Sequence, residues 1–199
     1  MAQPEPFWTV ALQTFRFQIS LTRSIGSRAP TLEAERQAIR DRPADAPKAD
    51  ALGDGGFAEC SGLELEADVR EYLEGGRNDG VVRRVGRVKL QPIVLKRGMF
   101  TPRSEPGSPV AGAVVRPELW EWLQGVVSGQ LPVPRYNGVI EVMDSTYTWP
   151  MATWTFVRGL PLKVVGPALN AKTGEIAIEE LHIAHEGLRL ESAGERDGV

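Results

Sequence analysis

The chain has 199 residues, 42% hydrophobic and 25% charged, with a formal net charge of −3. That length suits one well-buried core rather than two full domains, and the composition is that of a soluble globular protein. The slight acidic excess speaks against a nucleic-acid binder, no apolar run reaches bilayer length, and Met1–Pro6 lacks the basic and apolar regions of a secretory signal. The lone Cys60 rules out an internal disulfide and is compatible with folding in a reducing compartment.

Phe15, Phe17, Ile19 and Leu21 alternate with Arg16, Gln18, Ser20 and Thr22, which predicts a first strand. The character changes at Arg23. From there to Gly55 the chain carries Pro30, Pro43 and Pro47 among many Ala, Asp and Arg residues. Within it, Thr31 is a reasonable N-cap for a short helix over Leu32–Arg40. Asp41–Asp54 reads as a polar loop. The whole segment, residues 23–55, is predicted to be a surface insertion that the fold does not require, because its apolar content is too small to offset chain entropy.

Phe57–Cys60 predicts a short strand, and Ser61-Gly62 a turn in which glycine takes a positive φ. Leu63, Leu65, Ala67 and Val69 then alternate with Glu64, Glu66, Asp68 and Arg70, the pattern of a strand with one wet face. An arm follows: Glu71, Tyr72, Leu73, Glu74, Gly75, Gly76, Arg77, Asn78, Asp79 and Gly80. It holds too many glycines to pack and too much charge to bury. Val81-Val82 and Val85–Leu95 return to strand, with Pro92 marking an edge or a bulge.

Thr101–Gly112 reads as a loop. Pro117 then opens a helix over Glu118–Val127, with Leu119, Trp122, Leu123 and Val126 on its core face and Gly129 as its stop. Strands follow at Gly138–Met143, Met151–Val157 and Gly174–Leu190, the last with a slip of parity near Glu179-Glu180 that reads as a β-bulge. Glu191–Val199 reads as a disordered tail. The sum is a mostly β fold in a single domain, a β-barrel or sandwich with one flanking α-helix.

The chain offers little for catalysis. His182 and His185 stand three apart, which puts them on opposite sides of a strand, so surface or interface histidines are the better reading than a metal pair. Cys60 reads as a small buried thiol, and Ser61 lacks the frame of a hydrolase elbow. The glycines of Gly75–Gly80 have neither a following Gly-Lys-Ser/Thr nor a helix to cradle phosphate. Glu64, Glu66 and Asp68 line a solvated strand face. No catalytic residue, cofactor or metal is predicted. Trp120, Trp122 and Trp154 have core-like neighbours, whereas Trp8 and Trp149 sit in loop contexts that favour subunit contacts.

The stretch Gly56-Phe57, Glu59, Ser61-Gly62-Leu63, Glu71-Tyr72, Glu74-Gly75-Gly76 and Asn78 resembles the tail-tube family of contractile phages and phage-like injection systems. Val88-Lys89, Leu95–Gly98, Leu119-Trp120, Trp154, Phe156, Pro161, Lys163, Pro167, Leu169–Ala171 and Ile178-Glu179 extend the resemblance over residues 15–190. The insertion at 23–55 departs from it. The resemblance implies a tail-tube (Hcp-like) β-barrel with a helix beside it. It also implies six copies joined into rings, and rings stacked into a hollow tube that meets sheath and baseplate proteins and carries cargo in its lumen. Such a subunit is made in the cytoplasm and built into a phage tail or injection particle. The arm Glu71–Gly80 is then the candidate subunit contact. Two rivals stay open: a specialised ring subunit at the baseplate end, and a secreted non-enzymatic binding module.

Overall fold

In the computed structural model, residues 12–26, 31–43, 52, 56–73, 75–76, 80–99, 117–172 and 174–191 are described. Along them run β1 (Phe17–Arg23), α1 (Leu32–Arg40), β2 (Phe57–Ser61), β3 (Leu65–Tyr72), β4 (Val82–Leu90), β5 (Ile93–Gly98) and α2 (Glu118–Val127). Then come β6 (Tyr136–Met143), β7 (Pro150–Val165), β8 (Ile178–Ala184) and β9 (Gly187–Glu191). The mostly β class read from the sequence holds. Trp8, most of the 41–54 loop, the 101–112 loop and residues 192–199 lie outside the described residues.

Seven strands form an antiparallel sheet in the order β1-β6-β7-β8-β5-β2, with β9 also on β7. The 16-residue β7 serves two halves of it. Its first part pairs with β6 on one side and with β9 on the other, while Leu160–Val165 pairs with β8. Arg158, at φ 53°, breaks the extended run where one half gives way to the other. Leu21, Ile140 and Phe156 from the first half meet Ile93, Leu95, Leu181 and Ile183 from the second, with Leu119 and Trp122 of α2 closing the core. Gly138 is needed under the Phe156 ring, where a Cβ would lie 2.0 Å from Cε1.

Several expectations need correction. Pro92 does not edge or bulge a strand. It sits in the connection between β4 and β5, and its carbonyl packs against Gly62, where a Cβ would lie 2.0 Å away at φ 84°. No bulge occurs at Glu179-Glu180, since β5 and β8 pair without a register shift. Instead Glu179 points inward, 1% exposed, with its carboxylate on Arg97 Nε at 2.6 Å and Trp120 Nε1 at 3.0 Å. On α2, Leu119 and Trp122 are buried and Leu123 half-buried, but Val126 is 38% exposed because the last turn projects past the core.

The segment 23–55 also departs from a surface decoration. α1 forms where its propensities place it, with Thr31 Oγ1 accepting from the Ala34 amide. It is a second helix beside the sheet, not a loop excursion. Glu35 on α1 is 0% exposed, and Leu52 is buried in the core with its amide donating to the Leu21 carbonyl. The segment therefore contributes to the packed interior at two points.

Candidate subunit-contact hairpin

β3 and β4 stand apart from the main sheet as their own two-stranded sheet. Partners in an antiparallel ladder share a face. Leu65 lies opposite Leu90, Ala67 opposite Val88 and Val69 opposite Val85, which makes one face apolar. Glu71 opposite Arg83, 3.0 Å apart, ends that stripe near the tip. The other face carries Glu66 opposite Lys89 and Arg70 opposite Arg84, with Lys89 Nζ 2.8 Å from Asp68 and the Arg84 guanidinium 5.3 Å from the Tyr72 ring.

The apolar face is not covered by this chain's described residues. Leu65 is 59% exposed, Val69 62%, Val85 77% and Val88 54%. This corrects the expectation of a strand with one buried face: in the single chain both faces are wet. An isolated two-stranded hairpin is marginal in water. Covering each Val or Leu contributes about 1.5–3 kcal/mol, so a stripe of this kind favours a partner strongly.

The arm read from the sequence is the tip of this hairpin. Glu71 and Tyr72 close β3, Leu73 is exposed, Gly75 and Gly76 form an exposed turn, and Gly80 leads into β4. Glu74, Arg77, Asn78 and Asp79 lie outside the described residues. The sequence reading named the polar tip as the candidate contact, and the four exposed aliphatic side chains below it were not among those residues. The alternation of Leu65 and Val69 was visible, whereas Val85 and Val88 stand three apart and share that face only through the register shift opposite Ala67-Val69, and alternation alone does not say whether an apolar face meets the chain's own core or another molecule.

The other candidates separate. His182 rests on the Glu180 carboxylate, while His185 Nε2 is 3.0 Å from the Gln91 carbonyl and its ring packs beside Phe156. Burial lowers the His185 pKa and pushes the Cys60 thiol up to about 12, which leaves little thiolate for reaction. Trp149 is 71% exposed in the β6–β7 connection. That loop is pinned by Asp144, whose carboxylate accepts from the Thr146 hydroxyl and from the Thr148 and Trp149 amides. These bonds, the Thr146 hydroxyl foremost, hold the Asp144 carboxyl at about 2.

A buried carboxylate cluster sits where β7 changes partners. Glu35 Oε1 accepts from Ser24 Oγ at 2.6 Å and the Gly26 amide at 3.0 Å, and Oε2 from Asn137 Nδ2 at 2.8 Å. Arg158 Nε lies 3.5 Å away, and the Arg158 amide donates to Asn137 Oδ1. Burial by itself would raise the Glu35 pKa. The hydrogen bonds from Ser24, Asn137, Gly26 and Ile25 outweigh it and hold the carboxyl below its ordinary value. The hydrogen bonds from Ser24, Gly26 and Asn137 to Glu35 hold α1 against the sheet.

A β-sheet domain that holds an uncovered apolar hairpin clear of its own core has the makings of an assembly subunit. The chain belongs to the T4-like virus tail tube protein gp19 family, whose model matches residues 13–189. No curated protein sequence matches it. Among solved structures it is similar to a chain of an extracellular contractile injection system, the PVC sheath–tube complex in the extended state. That match has 19% identity over 92% of each chain and a TM-score of 0.60. A chain of the 6-fold symmetrised anti-feeding prophage baseplate matches at 19% identity over 94% of this chain and 99% of that one, with a TM-score of 0.64. A chain of the anti-feeding prophage tube-terminating cap matches at 19% over 96% and 100%, with a TM-score of 0.59. At this identity these likenesses establish a shared fold.

Proposed function

We propose that this protein is a single-domain, non-catalytic subunit of the inner tube of a contractile injection machine. It joins itself side by side into six-fold rings, and the rings stack into a hollow tube that meets sheath and baseplate proteins. Family membership supports the tube, and the likeness to chains from contractile injection particles supports the machine. The observation that carries the assembly is the β3–β4 hairpin, with Leu65, Val69, Val85 and Val88 exposed on one face and a charged opposite face. Its Glu71–Gly80 tip is the segment that reaches a neighbouring subunit.

Negative-stain microscopy of the purified protein tests this directly. Wild-type protein forms rings or tubes. Val85→Asp with Val88→Asp, or a rigid bulky triplet in place of Glu74-Gly75-Gly76, leaves the subunit folded by circular dichroism and abolishes stacking. Tubes of normal length from both variants would remove the hairpin from assembly, and wild-type protein that stays monomeric would overturn the tube itself.

A second reading has one observation in its favour. The insertion at 23–55 is built into the domain through Glu35 and Leu52 rather than draped over it. An integrated extra element suits a specialised ring at the baseplate end of the tube. That protein would form single rings without extending them.

A further inference from the structure

We propose that the aromatic corner formed by Phe15, Tyr147 and Trp149 is the docking site of this chain's own residues 5–10, with Phe7 and Trp8 on the exposed rings and the Glu5 carboxylate on Arg16. The proposal concerns the single subunit and does not rest on the tube reading.

The corner lies at one end of the β1-β6-β7 half of the sheet. Phe17 opens β1 opposite Val142, and one residue earlier the Arg16 carbonyl accepts from the Met143 amide at 2.8 Å. Across from Met143 lies Pro150, and the Asp144 amide donates to the Trp149 carbonyl at 2.9 Å. The approach to β1 and the β6–β7 connection are therefore neighbours, with β6 alone between the strands they lead to.

Two features of this corner call for an occupant. The first is a fixed apolar surface. The Asp144 carboxylate accepts from the Thr148 and Trp149 amides, and the same turn holds Tyr147 at φ 59°, a region uncommon for a residue with a Cβ. Tyr147 and Trp149 are thus carried outward on a pinned loop, and Phe15 is a third exposed ring at the same end of the sheet. Exposed aromatic groups gathered in this way gain by being covered. The second feature is a cation. The Arg16 guanidinium lies 4.9 Å from the Phe15 ring, and its Nη1 is buried with no acceptor among the described residues. A buried N–H without an acceptor is costly, so a carboxylate oxygen beside these rings stabilises the corner.

Residues 5–10 read Glu-Pro-Phe-Trp-Thr-Val and carry both complements, two aromatic rings and the one carboxylate side chain that precedes Arg16. Their reach is ample. Trp8 stands eight residues before Arg16, and a chain of that length spans at most about 26–29 Å. β7 lies two strand spacings from β1, only about 10 Å away. Tethering also gives the segment a high effective concentration at its own corner, roughly millimolar, which a separate copy does not match in dilute solution. Pro6 fixes one backbone angle in advance and so lowers the entropy lost on docking. These terms favour the chain's own segment over a second copy.

Hydroxyl-radical footprinting read by mass spectrometry tests the contact, with circular dichroism to confirm that each variant is folded. Tyr147 and Trp149 are protected in the wild-type protein. Phe7→Ser with Trp8→Ser raises their labelling by about tenfold, the weight of one large apolar side chain on burial. Glu5→Gln and Arg16→Gln each raise it less, and together no more than either alone, as partners in one contact do. Isotope-labelled Phe7→Ser, Trp8→Ser protein mixed with unlabelled wild type identifies the occupant. Its Trp149 stays reactive when each segment docks on its own chain, and becomes protected when a neighbour's segment can take the place. Equal labelling of Trp149 in wild type and the double variant, or protection of the variant by added wild type, overturns the proposal. Additive effects of Glu5→Gln and Arg16→Gln overturn the charged half of it. All of these outcomes leave the tube reading untouched.

Discussion

Arg97 Nε donates to Glu179 Oε1 across 2.6 Å, and both side chains are buried between β5, β8 and α2. The second carboxylate oxygen takes the Trp120 indole N–H, so a single buried charge ties the helix to the sheet. Removing Arg97 leaves a buried carboxylate held only by the Trp120 N–H, and removing Glu179 leaves the buried guanidinium only the longer contact to Glu118 Oε2 at 3.7 Å. Glu179→Ala or Arg97→Ala is expected to cost about 3–5 kcal/mol in urea denaturation of the unassembled subunit. Trp120→Phe keeps an aromatic ring but loses the indole N–H and part of the ring's volume, and its cost is expected at about 1.5–3 kcal/mol from the lost bond to a charged group, plus a packing share. Equal losses for all three variants would mean that the packing of α2, not the buried pair, carries the effect.

Acid stability should report on Glu35. Its pKa is below the ordinary 4.5 in the folded protein, so its contribution is present above that value and disappears as pH falls through the folded pKa. Wild-type stability is expected to fall below about pH 4.5 more steeply than that of Glu35→Gln, whose stability is lower at neutral pH. Denaturation midpoints measured from pH 7 down to pH 3 give the two curves. Parallel curves would show that the cluster of Ser24, Gly26 and Asn137 does not stabilise the ionised form.

On α2 the burial gradient predicts a gradient of cost. Leu119→Ala is expected to lose about 2–5 kcal/mol and Trp122→Ala about 3–5, because both fill the core and Trp122 Nε1 also donates to the Pro134 carbonyl at 2.7 Å. Leu123→Ala is expected to fall below that range, and Val126→Ala to lie within roughly 0.5 kcal/mol of wild type. Thermal melting of the four variants checks the order. A large loss at Val126 would show that the last turn of the helix packs more tightly than its exposure indicates.

Excising the insertion should be costly. Joining Thr22 to Gly56 removes Leu52 from the core and takes Glu35 away from Asn137 and Arg158. The shortened chain is expected to be less stable than wild type by at least the cost of a buried leucine, about 2–5 kcal/mol. Leu52→Ala alone measures that share. An excised protein that melts at the wild-type temperature would restore the view of residues 23–55 as surface decoration.

Local rules were enough for much of this protein. Thr31 as an N-cap, both helix spans, the positive φ of Gly62 and the β1 alternation follow from backbone preferences and side-chain periodicity, which act over a few residues. Tertiary structure decided the rest, for two physical reasons. Periodicity shows that one side of a strand is apolar, but what covers that side is a long-range fact, so Leu65 and Val69 looked like core and are exposed. Charge predicts exposure only when no partner is available. Glu179 and Glu35 are buried because Arg97 and Trp120, or Ser24 and Asn137, arrive from distant parts of the chain to satisfy them.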